Sequence, residues 1–215
     1  MTQENPFQKA ETIEKRPKIL LIGGEGTLKT RTSLSFPCPV VFDMEKGTTL
    51  YGNEFNFHVT HTTDPTIVMD GVSWLLTNKH NYKTVIIDPI TVYWSALQAK
   101  WQNIFLEHEK KSAGFKFEYY RIQPSDWGLV KGELKKLIRN LTMLDMNVII
   151  TAHKKKMYSE ATGDFMKVIG DTFDGEKSLP HLFDTVIMVR KDGGKYIAEC
   201  LKDRTHKLPD KFELS

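Results

Sequence analysis

Short β-branched and aliphatic runs alternate along the chain with longer segments in which apolar residues recur every three or four positions. The first kind of run marks strands buried on both faces, and the second marks the amphipathic helices that cover them. Strands are expected at residues 18–22, 39–43, 56–60, 84–88 and 147–152. Two more, at 185–190 and 195–201, flank Lys191-Asp192-Gly193-Gly194, whose paired glycines suit a tight hairpin turn. The pattern predicts an α/β domain with a mostly parallel central sheet flanked by helices and a C-terminal β-hairpin.

The clearest helix starts near Ser125, a capping residue type, and carries Trp127, Val130, Leu134, Leu137, Ile138, Leu141 and Leu144 on one face. Lys131, Lys135, Lys136 and Arg139 fall mostly on the other face, which reads as solvated surface rather than a binding stripe. A second helix is expected after Pro89, with Tyr93, Trp94, Leu97, Trp101 and Phe105 turned inward as core. Residues 1–16 are polar and are expected to form a flexible N-terminal arm, leaving 17–215 as one domain.

Composition narrows the partners only slightly. A chain of 215 residues, 40% hydrophobic and 27% charged, can bury one substantial core. A net charge of +3 is too small to demand a polyanion, so a nucleic-acid argument must rest on where the basic residues cluster. Cys38 and Cys200 lack metal-ligand spacing, and no secretory leader is evident, which suits a reducing, cytoplasmic compartment. Charged residues interrupt every apolar run well short of the roughly 20 residues a membrane span needs, so no membrane role is expected.

Candidate chemistry begins at the end of the first strand, where Gly23, Gly24, Glu25, Gly26, Thr27 and Leu28 lead into Lys29, Thr30 and Arg31. Glycines let backbone N–H groups close on phosphate oxygens, and the helix that follows adds its positive end. Lys29 is expected to reach the β and γ phosphates of ATP, and the Thr30 hydroxyl to bind Mg²⁺. Leu28 stands where the usual pattern has glycine. Helical dihedrals there would tolerate its Cβ, whereas a positive φ would make it costly.

Other strand ends supply partners. Val85-Ile86-Ile87-Asp88 delivers a carboxylate suited to the water shell of Mg²⁺ opposite Thr30. Val40-Val41-Phe42-Asp43-Met44-Glu45 brings two acids, of which Glu45 is the expected base or orienter for the attacking water, with Asp43 in support. Val148-Ile149-Ile150-Thr151-Ala152-His153 offers His153 or Thr151 as a sensor of the γ phosphate.

These signals, in this order, resemble the RecA-like P-loop ATPases. Ser125-Asp126-Trp127-Gly128 ahead of the strand ending in His153 looks like phage-encoded AAA/RecA-type nucleotide-binding proteins, over approximately residues 17–206. The resemblance implies a RecA-like P-loop NTPase fold, a water-directed role for Glu45 and a γ-phosphate sensor at His153. Cys200-Leu201-Lys202-Asp203-Arg204 is similar to a Lys-x-Arg segment that hexameric helicases insert into a neighbour's ATP site, which implies a homo-oligomer with Lys202 or Arg204 acting in trans. It also implies DNA contact by two stretches in which cations and rings interleave. One carries Lys110, Lys111 and Lys116; the other, running from His153 to Tyr158, carries Lys154, Lys155 and Lys156.

The expected function is a RecA-like ATPase coupling ATP to single-stranded DNA in phage recombination, annealing or replication. Two alternatives stay open: a nucleotide switch or assembly protein with little hydrolysis, and a phosphotransferase acting on a small acceptor. The segment 159–180 is expected to be mobile without a ligand.

Overall fold

The computed structural model describes residues 9, 15–110, 121–158 and 168–214. Among the described residues there are nine strands and four α-helices: β1 (Lys18–Gly23), α1 (Lys29–Leu34), β2 (Pro39–Asp43), β3 (His58–His61), α2 (Pro65–Thr77), β4 (Thr84–Asp88), α3 (Ile90–Glu109), α4 (Trp127–Met143), β5 (Asn147–Tyr158), β6 (Val168–Phe173), β7 (Thr185–Asp192), β8 (Lys195–Asp203) and β9 (Lys211–Leu214). Short 3₁₀ turns at Gly47–Leu50 and Leu179–Leu182 complete the described chain.

Along the sheet the order is β3-β2-β4-β5-β1-β7-β8-β9. The strands from β3 to β7 run parallel, while β8 and β9 are antiparallel at the far edge. β6 returns antiparallel along the second half of β5.

Period-two alternation assigns the two faces. Val85, Ile87, Val148 and Ile150 point into the larger core beneath α2, α3 and α4, where Val72, Tyr93, Leu97, Leu134 and Leu141 meet them. Ile86 and Ile149 point the other way, with Val41, against Leu34 of α1 and the aromatic rings of Phe36, Tyr51, Phe55 and Phe57. The rings expected to be core behave so: Tyr93 is fully buried, and Trp94, Trp101 and Phe105 pack partly buried against the same cluster.

Several elements differ from the sequence expectation. The third strand sits at His58–His61, not 56–60, and all four of its residues are exposed because it is the sheet edge. α2 was not expected; Asp64 caps it by accepting from the Thr66 amide, and Pro65 occupies its first turn. Ser125 does not cap α4: its hydroxyl donates to Asp126, the residue at the cap position. Leu144 lies just past the helix end but stays buried.

Two corrections matter for function. The stretch from His153 to Tyr158, expected as a loop, continues β5, because β6 supplies its backbone partners from Lys154↔Phe173 to Tyr158↔Val168. Residues 168–180 of the segment expected to be mobile therefore carry β6 and the start of a 3₁₀ turn, while 159–167 lie outside the described residues. The C-terminal hairpin forms where expected, with Gly193 (φ 53°) and Gly194 (φ 84°) both left-handed, as a two-residue turn between twisted strands requires.

Gly71 of α2 fixes how closely that helix approaches the sheet, since a Cβ there would stand 2.5 Å from two carbons of the Phe42 ring. Gly71→Ala should destabilise the domain by about 1–3 kcal/mol through overpacking, read as a lower denaturant midpoint with an unchanged m-value.

Candidate nucleotide site

The parallel register gathers the site. Gly23 of β1 lies opposite His153 of β5, and Asp43 of β2 lies opposite Asp88 of β4. Because β4 and β5 are themselves adjacent, all of these strand ends open on one edge of the sheet. A ligand crevice at the carboxyl ends of parallel strands is the general expectation for open α/β sheets.

The loop from Gly24 to Leu28 folds over that edge. A Cβ on Gly23 would lie 2.4 Å from the Thr27 hydroxyl and 3.1 Å from the Val189 carbonyl, so only glycine permits this turn. The Thr27 hydroxyl and the Lys29 ammonium both donate to the Gly24 carbonyl, at 2.8 and 2.7 Å. Burial pushes the Lys29 amine below its ordinary range, opposed by the carboxylates of Asp88, Glu45 and Glu25. Glu45 therefore lies within electrostatic reach of the lysine. Glu25 and Gly26 are exposed at the tip of the loop, with Gly26 at φ 60°.

Leu28 adopts φ 62°, ψ 11° at the cap position of α1. The helical alternative that would have accommodated its Cβ is not the one realised. A left-handed conformation costs a non-glycine residue roughly 1–2 kcal/mol.

The Thr30 hydroxyl donates to one oxygen of Asp88 at 2.6 Å, and the Thr151 hydroxyl donates to the other. Asp88 is only 7% exposed, so these two threonines fix both of its oxygens. Hydroxyl and carboxylate oxygens are the hard donors Mg²⁺ prefers, and Thr30 with Asp88 fits that ion together with nucleotide oxygens and water. Among the described residues no group of three or more His, Cys, Asp or Glu side chains forms a separate metal cage. Arg31 points away from the glycine loop, paired with Glu54 at 2.5 Å.

Glu45 projects from the turn after β2, and its carboxylate lies 3.2 Å from His153 Nε2. Both side chains are partly exposed, at 45% and 35%. The His153 amide donates to the Thr91 hydroxyl at 3.0 Å, and that hydroxyl donates to the Asp174 carbonyl at 2.8 Å. Sequence reasoning did not find Thr91, nor the hydrogen bond that the Thr151 hydroxyl donates to Asp88. Both follow from which strand ends are neighbours.

Lys202 and Arg204 stand at the opposite end of the sheet, where Asp203 lies opposite Thr185 and Thr185 opposite Ile19. Lys202 donates to the carbonyls of Phe183 at 2.6 Å and Pro180 at 3.0 Å. Burial lowers its amine pKa, reinforced by Arg204. Arg204 pairs with Asp184 at 3.1 Å and is 58% exposed. Neither can reach the glycine loop of its own chain.

The lysines of the β5–β6 hairpin are internally paired. Lys154 and Lys156 both approach Asp171 at 3.2 Å, and Lys155 meets Asp174 at 2.9 Å. The ammonium groups of the two lysines offset the burial of the Asp171 carboxyl and hold it below the usual carboxylate range. Lys110 follows the last residue of α3, and Lys111 and Lys116 lie outside the described residues.

Replacing Leu28 with glycine should relieve the left-handed strain. Leu28→Gly is expected to raise Tm by about 2–4 °C, the shift that roughly 1 kcal/mol produces in a domain of this size. An unchanged or lowered Tm would show that the Leu28 side chain contributes more than its backbone costs.

Three comparisons with known proteins bear on this geometry. The sequence profile of the family described as "AAA domain" matches residues 15–207. Among solved structures, "Crystal structure of the RadB recombinase" superposes with a TM-score of 0.55 at 14% identity, covering 93% of this chain and 87% of that one. No curated protein matches this sequence. The superposition establishes a RecA-like P-loop architecture. The chain belongs to the AAA domain family of P-loop nucleoside triphosphatases.

Proposed function

We propose that the protein is a magnesium-dependent ATPase whose nucleotide state governs binding to single-stranded DNA, serving phage recombination, annealing or replication. The observation that carries the ATPase reading is the shared edge itself: Lys29, the Thr30–Asp88 pair and the Glu45–His153 pair on neighbouring strand ends. Lys29 leaves the Gly24 carbonyl for the β and γ phosphates, and Thr30 and Asp88 hold the ion and its water. Bound there, Mg²⁺ would supply charge neutralisation to the phosphate oxygens. Glu45 takes the proton of a water whose oxygen attacks the γ phosphorus, while the bond to the bridging oxygen breaks and ADP departs. His153 moves between Glu45 and the γ phosphate, which ties it to the presence of ATP.

The DNA reading rests on the hairpin that begins at His153. Its lysines form partly exposed ion pairs of the kind that contribute little and can exchange a carboxylate for a phosphate. Arg204, exposed and remote from its own glycine loop, serves the nucleotide of a second copy in a homo-oligomer, and Lys202 supports the turn beside it. Leu28 favours a second reading, a nucleotide switch with little turnover, because it places a strained side chain within the phosphate loop.

Phosphate release by wild type, Lys29→Ala and Glu45→Ala, each with and without single-stranded DNA, separates these readings. Lys29→Ala should lose nucleotide binding. Glu45→Ala should keep binding while turnover falls by about 10²-fold or more. Wild type that binds ATP but does not turn it over, even with DNA, supports the switch; a Glu45→Ala protein that turns over normally removes Glu45 from the chemistry.

Binding of an oligonucleotide at several salt concentrations tests the hairpin. Replacing Lys154, Lys155 and Lys156 together with alanine should weaken binding and flatten the slope of log K against log salt by up to about 2, at roughly 0.7 per phosphate contact. An unchanged slope would remove the hairpin from the DNA surface.

A further inference from the structure

Glu45 is carried by a turn, not by a strand or helix, so something must hold its backbone in place. The hydrogen-bond partner of its side chain among the described residues is the partly exposed His153 ring. The anchor is Asp43, two residues earlier and only 1% exposed.

One Asp43 oxygen accepts from the amides of Glu45 at 3.1 Å and Gly47 at 3.2 Å. The other accepts from the Thr48 amide at 2.9 Å and from the Thr48 hydroxyl at 2.5 Å, and His61 Nδ1 lies 3.2 Å from it. Four donors on one carboxylate draw residues 45–48 into a closed turn in which Lys46 takes φ 60°. Burial alone would raise the Asp43 carboxyl, but the Thr48 and Glu45 hydrogen bonds and the nearby His61 outweigh it and hold the group below the usual carboxylate range. The turn is also tied to the metal-side strand, because the Met44 amide donates to the Asp88 carbonyl at 2.8 Å. On the outer side the Asp43 carbonyl accepts from the Thr62 amide at 3.2 Å.

We propose that Asp43 is a positioning residue for hydrolysis: its carboxylate, with Thr48 as principal donor, sets the aim of Glu45 toward the γ phosphate. The inference rests on the ATPase reading of Glu45 and adds what orients it. Asp43 is buried, and its carboxylate is taken up by the donors of the turn. It acts through the backbone of the turn, and His61 extends the same hold to the edge strand β3.

Asp43→Asn separates aim from stability. The amide keeps one acceptor but presents an N–H₂ group to donors on its other side. If its oxygen stays with Thr48, the amides of Glu45 and Gly47 lose their partner. ATP affinity should stay within about threefold of wild type while kcat falls at least tenfold, because the glycine loop, Thr30 and Asp88 are untouched. Thr48→Val, which removes the hydroxyl donor and keeps the amide, should show a smaller loss in kcat alone, and it carries the test if Asp43→Asn does not fold.

A double-mutant cycle with Glu45→Ala gives the readout a purely structural residue would not move. If Asp43 acts through Glu45, adding Asp43→Asn to Glu45→Ala costs no further single-turnover rate, whereas independent effects would multiply. Normal kcat in both Asp43→Asn and Thr48→Val, or multiplying effects in the cycle, overturns the inference. A Glu45→Ala protein that turns over normally overturns the base assignment and this inference with it. An inactive Glu45→Ala beside fully active Asp43→Asn and Thr48→Val overturns the inference alone.

Discussion

The register of the parallel ladder is the constraint on which the site depends. Asp43 reaches the level of Asp88, and Gly23 the level of His153, because β2, β4, β5 and β1 pair without a slip. A shift of one residue in any of these strands would turn its terminal side chain to the other face and exchange core for site. That shift is opposed by the buried aliphatic residues of both faces, so the apolar core and the polar edge are two consequences of one alignment. The threonine hydroxyls on Asp88 then complete it, since Thr30 follows β1 and Thr151 lies on β5, and both meet a carboxylate at the end of β4.

Against that rigid background the glycine loop carries backbone strain. Gly23 meets a steric demand that a Cβ would break, and Leu28 accepts a positive φ with a full Cβ. The loop survives because α1 begins immediately after it, and the Thr32 amide closes the first helical turn on the Leu28 carbonyl at 2.8 Å. A strained residue held by its surroundings at a ligand loop is a common companion of function.

Much of this was legible in the sequence, for reasons that differ by element. The buried parallel strands announced themselves as β-branched runs, and Lys29, Thr30, Glu45, Asp88 and His153 followed as polar residues at or just beyond their ends. The edge strand did not, because His58, Val59, Thr60 and His61 are all exposed and carry no alternation to fix their limits. The Lys154–Lys156 run read as loop since its strand character comes from backbone pairing with β6, which composition does not encode. Asp43 was visible only as a second acid. Its four donors arise from a turn, with His61 of a neighbouring strand beside them, and that convergence exists only in three dimensions.

The same edge also has a physical route to the hairpin. Thr91 opens α3 directly after the strand that carries Asp88, and its hydroxyl joins the His153 amide to the Asp174 carbonyl. The Asp174 amide in turn donates to the His153 carbonyl at 2.7 Å, so the base of the hairpin is fastened on both sides of His153. A residue that contacts Glu45 through its ring thus anchors, through its backbone, the strand bearing Lys154, Lys155 and Lys156. Of these pairs, Lys155–Asp174 lies nearest that fastening and is about half exposed on both partners, while Asp171 is only 13% exposed between its two lysines. Displacing a solvated partner costs less than displacing a buried one. Lys155–Asp174 is therefore the pair of the hairpin most open to exchange, and Asp174 is the residue whose backbone is bonded to His153.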